Sequence, residues 1–253
     1  MPHENEHAND NATQLDEAVA RVYDAFHGYQ FPKPEPAIKN ARKALDALAS
    51  SRLRDHTAEE LNEFIHTAHF ATKDPSALKY FLPRILELCV IQGSLPFDIE
   101  LVAARLAAAD WTHWPAEERG AVAEFLFAVW SGVLSARSEM FEEMLFTADT
   151  WLCALGVAAG NISHFLDQWA ERILEPTARL HLAAFVIINV EALVDDAPLF
   201  SAYWEEDAQA QALSWLKSRN LLEALALPHQ TGLADGERTR LREAHDLLGA
   251  YQA

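Results

Sequence analysis

The chain has 253 residues, half of them apolar, and its 38 acidic and 20 basic side chains give a formal charge of −18. That is enough apolar material for a substantial core without disulfide or metal support, and the charge weighs against bare nucleic-acid backbones and anionic membrane surfaces as partners. A basic or neutral protein partner is expected; a solvated acidic surface that aids solubility is the plainer reading of the same charge.

Residues 1–12 are polar and acidic, with almost nothing to bury, and are expected to form a disordered tail. His3-Glu-Asn-Glu-His7 matches the zinc-protease spacing, yet it lies in a segment with no apolar face, so no catalytic metal is assigned to it. The N-terminus lacks the basic and apolar regions of a signal peptide. No uncharged apolar run approaches the roughly 18 residues that span a bilayer, so a cytoplasmic protein is expected.

From residue 13 to 253 the pattern predicts a single all-helical domain, with a possible sub-boundary at the Pro-rich connector 31–36. Leu15, Val19, Val22 and Phe26 share one face of a first helix that stops near Gly28. Phe31-Pro-Lys-Pro-Glu-Pro36 cannot continue it. A short helix follows on Ile38, Ala41, Leu45 and Leu48.

Thr57-Ala-Glu-Glu60 is a capping-box pattern opening a helix to about Phe70. Asp74-Pro75 opens the next, which carries Pro83 and ends at Gly93; Asp98 caps a third through about Ala109. Pro115 with Glu117 and Glu118 opens a fourth, to about Ser135. Further helices are predicted over 139–159, 163–173, 177–194, 205–226 and 236–251. Phe185-Val-Ile-Ile-Asn-Val190 could instead form a buried strand, but its flanks extend it to helical length. Alternate helix starts fall near 57, 98, 139 and 177, a spacing of roughly 40 residues that suggests stacked antiparallel hairpins of the HEAT or armadillo kind. A compact multi-helix bundle is the alternative.

Cys89 and Cys153 lie far apart in apolar helical stretches and are expected as small core residues. Glu63, His66 and His69 could approach a metal from one helix. A ferritin-like centre needs a second Glu-x-x-His, which the sequence lacks, and a polar helix face explains the same residues. Arg84 and Glu87 are spaced to pair within their helix; Arg84 could alternatively anchor a partner's carboxylate. Trp111 and Trp114, flanking His113 before Pro115, are either core packing or exposed aromatic anchors. Trp130, Trp151, Trp169 and Trp215 sit at core positions, whereas Trp204, beside Glu205-Glu-Asp207, is ambiguous. His181 is expected as a satisfied core histidine. Asp195, Asp196, Glu205, Glu206 and Asp207 could form an acidic patch, or a solvated surface. There is no phosphate loop, nucleophile elbow, Cys-x-x-Cys or basic aromatic patch.

Lys79-Tyr-Phe-Leu-Pro-Arg-Ile-Leu-Glu-Leu88, then Trp111-x-x-Trp114-Pro115-x-Glu117-Glu118-Arg119 and a helix reaching Trp130, resemble a group of uncharacterised all-helical bacterial proteins over about residues 60–135. The resemblance implies a bacterial, helical, soluble protein and no particular activity. The expected function is therefore a non-catalytic helical interaction module with an acidic surface, of which an immunity- or antitoxin-like inhibitor is one instance. Binding is expected at Arg84, Trp111 and Trp114, with no catalytic residue, metal or cofactor assigned. The alternatives are a metal-dependent or small-molecule-processing enzyme with a site between helices around Glu63, His66 and His69, and a small-molecule binder with an apolar helix-lined pocket.

Overall fold

A computed structural model describes residues 2–32, 45–49, 51–67, 75–91, 98–137, 147–195, 197–226 and 233–253, with side chains from residue 13 onward except at 67 and 91. All the regular structure among them is helical, and no strand occurs. Among the described residues no helix is long and apolar enough to cross a membrane.

The helices are α1 (Pro2–Phe26), α2 (Ala58–Thr67), α3 (Ser76–Ile91), α4 (Ile99–Ala108), α5 (Ala116–Ser135), α6 (Thr147–Ala159), α7 (Ser163–Arg172), α8 (Pro176–Ile188), α9 (Val190–Asp195), α10 (Glu206–Leu216), α11 (Arg219–Leu225) and α12 (Asp235–Gln252). Short 3-10 turns occupy Leu53–Asp55 and Trp111–His113. The backbone of the segment expected as a tail is helical from Pro2, in continuity with α1.

The caps predicted at Thr57 and Asp98 form. The Thr57 amide donates to Glu60 Oε2 at 2.9 Å while the Glu60 amide donates to Thr57 Oγ1 at 3.3 Å, and Asp98 Oδ1 accepts from the Leu101 amide at 3.1 Å. Two predicted helices are each split. Asn189 ends α8 before α9 begins, and Lys217 and Ser218 separate α10 from α11. Phe185–Ile188 is helical, which settles the strand alternative. The residues proposed to start helices at Asp74 and near 139 lie outside the described residues, as do Gly93 and most of the connector 31–36.

The chain divides into two compact units, residues 13–129 and residues 1–12 with 130–253. In the first, Phe81 is the centre of the core, with the Phe64 ring 4.6 Å, His56 5.7 Å and Phe31 5.8 Å away. Val22, Phe26, Leu61, Ile85, Leu106 and Phe125 complete it. Its buried ion pair, Lys79 Nζ to Glu118 Oε2 at 2.6 Å, is completed by the Tyr29 hydroxyl, which donates to Glu118 and accepts from Lys79. Burial opposes the charge on Lys79, but the hydrogen bonds to Glu118 and Tyr29 outweigh it, so its ammonium is held more firmly than usual.

The second unit is built on indoles. Trp169 lies 5.3 Å from Trp130, 5.0 Å from Trp215 and 5.7 Å from Phe185. Trp130 and Trp169 donate their ring N–H to the carbonyls of Phe165 and Ala178, so these large apolar bodies bury without stranding a donor. Here α8 packs against α6, α11 and α12, and α10 packs against α6 and α7. Gly156 permits the α6–α10 approach: a Cβ there would stand 2.8 Å from Ala208 Cβ. Cys89 and Cys153 are buried thiols outside any disulfide; burial pushes the Cys89 thiol up to about 12.

Candidate functional site

Arg84, Trp111 and Trp114, singled out in the sequence, are engaged within their own unit. Arg84 donates through Nε to the His56 carbonyl at 2.9 Å and through Nη1 to Glu87 Oε2 at 2.7 Å. Glu87 also accepts from the Tyr23 hydroxyl at 2.6 Å, and Arg54 lies over the Tyr23 ring at 3.9 Å. Burial, followed by that bond to Glu87, raises Tyr23 well above the usual phenol range. Arg84 is thus engaged within its own unit, by the pairing that its spacing from Glu87 allowed.

Trp111 and Trp114 are each only 6% exposed. Trp114 donates Nε1–H to the Ala109 carbonyl at 2.8 Å, stands edge-on to Phe26 and carries Lys79 over its ring at 4.4 Å. The core reading describes both indoles, and neither is presented as an exposed anchor. Glu63 and His66 lie on the exposed side of α2, where His66 Nδ1 is placed to donate to the Asn62 carbonyl at 2.9 Å. His69 lies outside the described residues. Among those described, no group of three or more His, Cys, Asp or Glu is placed to hold a metal ion.

A surface groove of about 520 Å³ lies in the first unit, lined by Gln14, Glu17, Ala18, Arg21, Glu124, Phe127 and Ala128. Arg21 pairs with Glu124 there at 2.5 Å, beside the apolar Ala18, Phe127 and Ala128, so its wall is mixed.

The most organised surface feature is in the second unit, on the loop between α9 and α10. Three successive amides of this loop are captured by side chains of the surrounding helices. Leu199 N–H donates to Gln209 Oε1 at 3.1 Å, Phe200 N–H to Asn189 Oδ1 at 2.7 Å, and Ser201 N–H to Asp149 Oδ2 at 3.1 Å. Asp149 Oδ1 accepts from Asn189 Nδ2 at 3.0 Å and from Trp204 Nε1 at 3.2 Å, and Asn189 Nδ2 also donates to the Phe185 carbonyl. Leu199 turns inward and is buried.

This loop, fixed at its backbone, presents apolar side chains outward. Phe200 is 53% exposed, Tyr203 43%, and Val194, at the end of α9, 66%. Glu191, Asp195, Glu205, Glu206 and Asp207 flank them in sequence and are exposed. No lysine or arginine occurs between Arg179 and Lys217. The arrangement can offer aromatic contact within a field of negative charge.

Sequence reasoning noted the acids and the ambiguity of Trp204 but missed Asp149, Asn189, Phe200 and Tyr203. The available signal was polarity out of place: Asp149 is the only charged residue of α6, and Asn189 interrupts Val186-Ile-Ile-Asn-Val190. No family model, curated protein or solved structure matches this chain.

Proposed function

We propose that the protein is a non-catalytic helical interaction module whose docking surface is the loop 197–205 with Val194, and whose partner is a protein with a basic rim around an apolar recess. The observation that carries this reading is the triple capture of the Leu199, Phe200 and Ser201 amides, which fixes the backbone of a loop that bears two exposed aromatic residues. Preorganisation matters because ordering a mobile loop at the interface would subtract from affinity. The charge of −18 adds long-range attraction for a cationic partner, which acts mainly on the association rate. A cationic toxin held by an immunity-type inhibitor is one instance of this chemistry.

The scaffold we favour for the second unit is a compact bundle rather than a solenoid of stacked hairpins. The C-terminal α12 packs on α8, α9 and α11, returning across several intervening elements, whereas repeats in a solenoid touch chiefly their neighbours.

The test is parallel capture from a native lysate by the wild-type chain and by the Phe200→Ala/Tyr203→Ala double variant. The expected result is a protein retained by the wild type and lost from the variant, with association slowing at least tenfold between low and moderate salt. Retention of the same proteins by both baits, or salt-insensitive association, would overturn the reading.

A further inference from the structure

We propose that the 197–205 loop closes more tightly on α6 when the Asp149 carboxylate takes up a proton, so that mild acid stiffens the surface this loop presents. Asp149 is 0% exposed and accepts from three donors, Asn189 Nδ2 and Trp204 Nε1 at Oδ1 and the Ser201 amide at Oδ2. All three donors are neutral. A carboxylate offers about four lone-pair sites, so one on Oδ2 is left unserved while the loop is closed. That site takes a proton without displacing any donor.

Two of the donors, the Ser201 amide and the Trp204 indole, belong to the loop itself. Lifting the loop withdraws them and admits water, which serves the carboxylate and returns its titration to the ordinary range. Closing strips that water away and restores only neutral donors, so the closed state bears the negative charge at the greater cost and binds the proton more tightly. By linkage, the closed loop gains on the open one as pH falls through the range just above the ordinary carboxylate value. Below that value both states are protonated and the gain levels off.

Among the described residues no cation of the surrounding elements pairs with Asp149. α6 carries no other charged residue. On α8, Arg179 donates to the Leu174 carbonyl and His181 bonds to that of Ala136. Glu191 and Asp195 on α9, Tyr203 in the loop, Glu205 before α10 and Glu206 and Asp207 on α10 are exposed, and none of them can supply positive charge. Burial accordingly raises the Asp149 carboxyl above the ordinary range, against the lowering effect of its bonds with Asn189, Trp204 and Ser201.

The test is hydrogen exchange of the Leu199, Phe200 and Ser201 amides in the full-length chain, expressed as protection factors from pH 7.5 to 4.5, with far-ultraviolet ellipticity followed in parallel. The expected result is a rise of about twofold or more in loop protection toward acid while ellipticity stays constant. Asp149→Asn, which has no proton to gain, should show protection that does not change with pH. Trp204→Phe removes one donor that favours the ionised carboxylate, so it should move the rise to higher pH. Protection that is flat or falls toward acid in the wild type, an equal rise in Asp149→Asn, or an unshifted rise in Trp204→Phe would overturn the proposal. Tighter docking in acid is a consequence that rests on the function proposed above. The exchange measurement needs no partner, so the two can fail separately.

Discussion

At the scale of single residues, the least solvated titratable groups set how stability responds to pH. His181 is buried, with Nε2–H directed at the Ala136 carbonyl at 2.8 Å, and burial lowers its pKa to about 4. In the unfolded chain the same imidazole titrates at about 6.5, so between those values the unfolded state binds the additional proton. Stability contributed by His181 is therefore complete above about pH 6.5 and is lost as pH falls toward 4, by up to about 3 kcal/mol. Asp149 acts with the opposite sign: its raised carboxyl pKa favours the folded state as pH falls through the range just above the ordinary carboxylate value. Urea unfolding at pH 7 and 4.5 separates the two. His181→Gln, which can keep the donor to Ala136, should lose about 2 kcal/mol less than the wild type on acidification. An equal loss in both would show that His181 does not carry the effect. The core role of His181 was legible from its apolar neighbours Leu180 and Leu182. Its carbonyl partner was not, because Ala136 is 45 residues away.

At the scale of elements, one substitution has opposite signs at two helical glycines. Gly132 in α5 has no neighbouring atom within 4 Å of an added Cβ, so Gly132→Ala should stabilise by about 0.5–1 kcal/mol through helix propensity alone. At Gly156 the added Cβ would meet Ala208 Cβ at 2.8 Å, with Ile162 Cγ2 at 3.4 Å and Trp204 at 3.9 Å. Gly156→Ala should therefore destabilise by about 1–3 kcal/mol, since α6 and α10 must part. Thermal unfolding of both variants checks the pair; stabilisation by both would mean that the α6–α10 approach is looser than described. Helix starts were readable because caps are local, as at Thr57 and Asp98, where the side chain and the amide it serves are three residues apart. The break at Asn189 was not readable. Val186-Ile-Ile-Asn-Val190 continues the apolar run, and the side chain that ends α8 also bonds to Asp149 and Phe200, partners set by tertiary packing. Nor could periodicity decide whether Trp111 and Trp114 are covered, because the rings and charges that meet Trp114, Phe26 and Lys79, come from distant parts of the chain.

At the scale of the whole molecule, apolar periodicity and capping signals announced an all-helical chain with an apolar interior, while the approximate 40-residue spacing left its architecture open because two ordinary helices and their loops occupy the same length. The two units have separate aromatic centres, Phe81 and Trp169, yet α5 passes without interruption from residue 129 to residue 130. Melting either unit removes support from one end of that shared helix, so denaturation should proceed with a single midpoint. Five of the seven tryptophans, Trp130, Trp151, Trp169, Trp204 and Trp215, fall in residues 130–253. Emission therefore weights that unit, whereas far-ultraviolet ellipticity weights both; two separated midpoints would contradict the expectation. The approach of Trp169 to Trp130 at 5.3 Å and to Trp215 at 5.0 Å has an optical consequence. Chromophores this near to one another share excitation, so the near-ultraviolet band records the register of the rings as a set. A state that kept its coils but let those rings slide would lose that band first, giving a direct gauge of whether the interior is crystalline or molten.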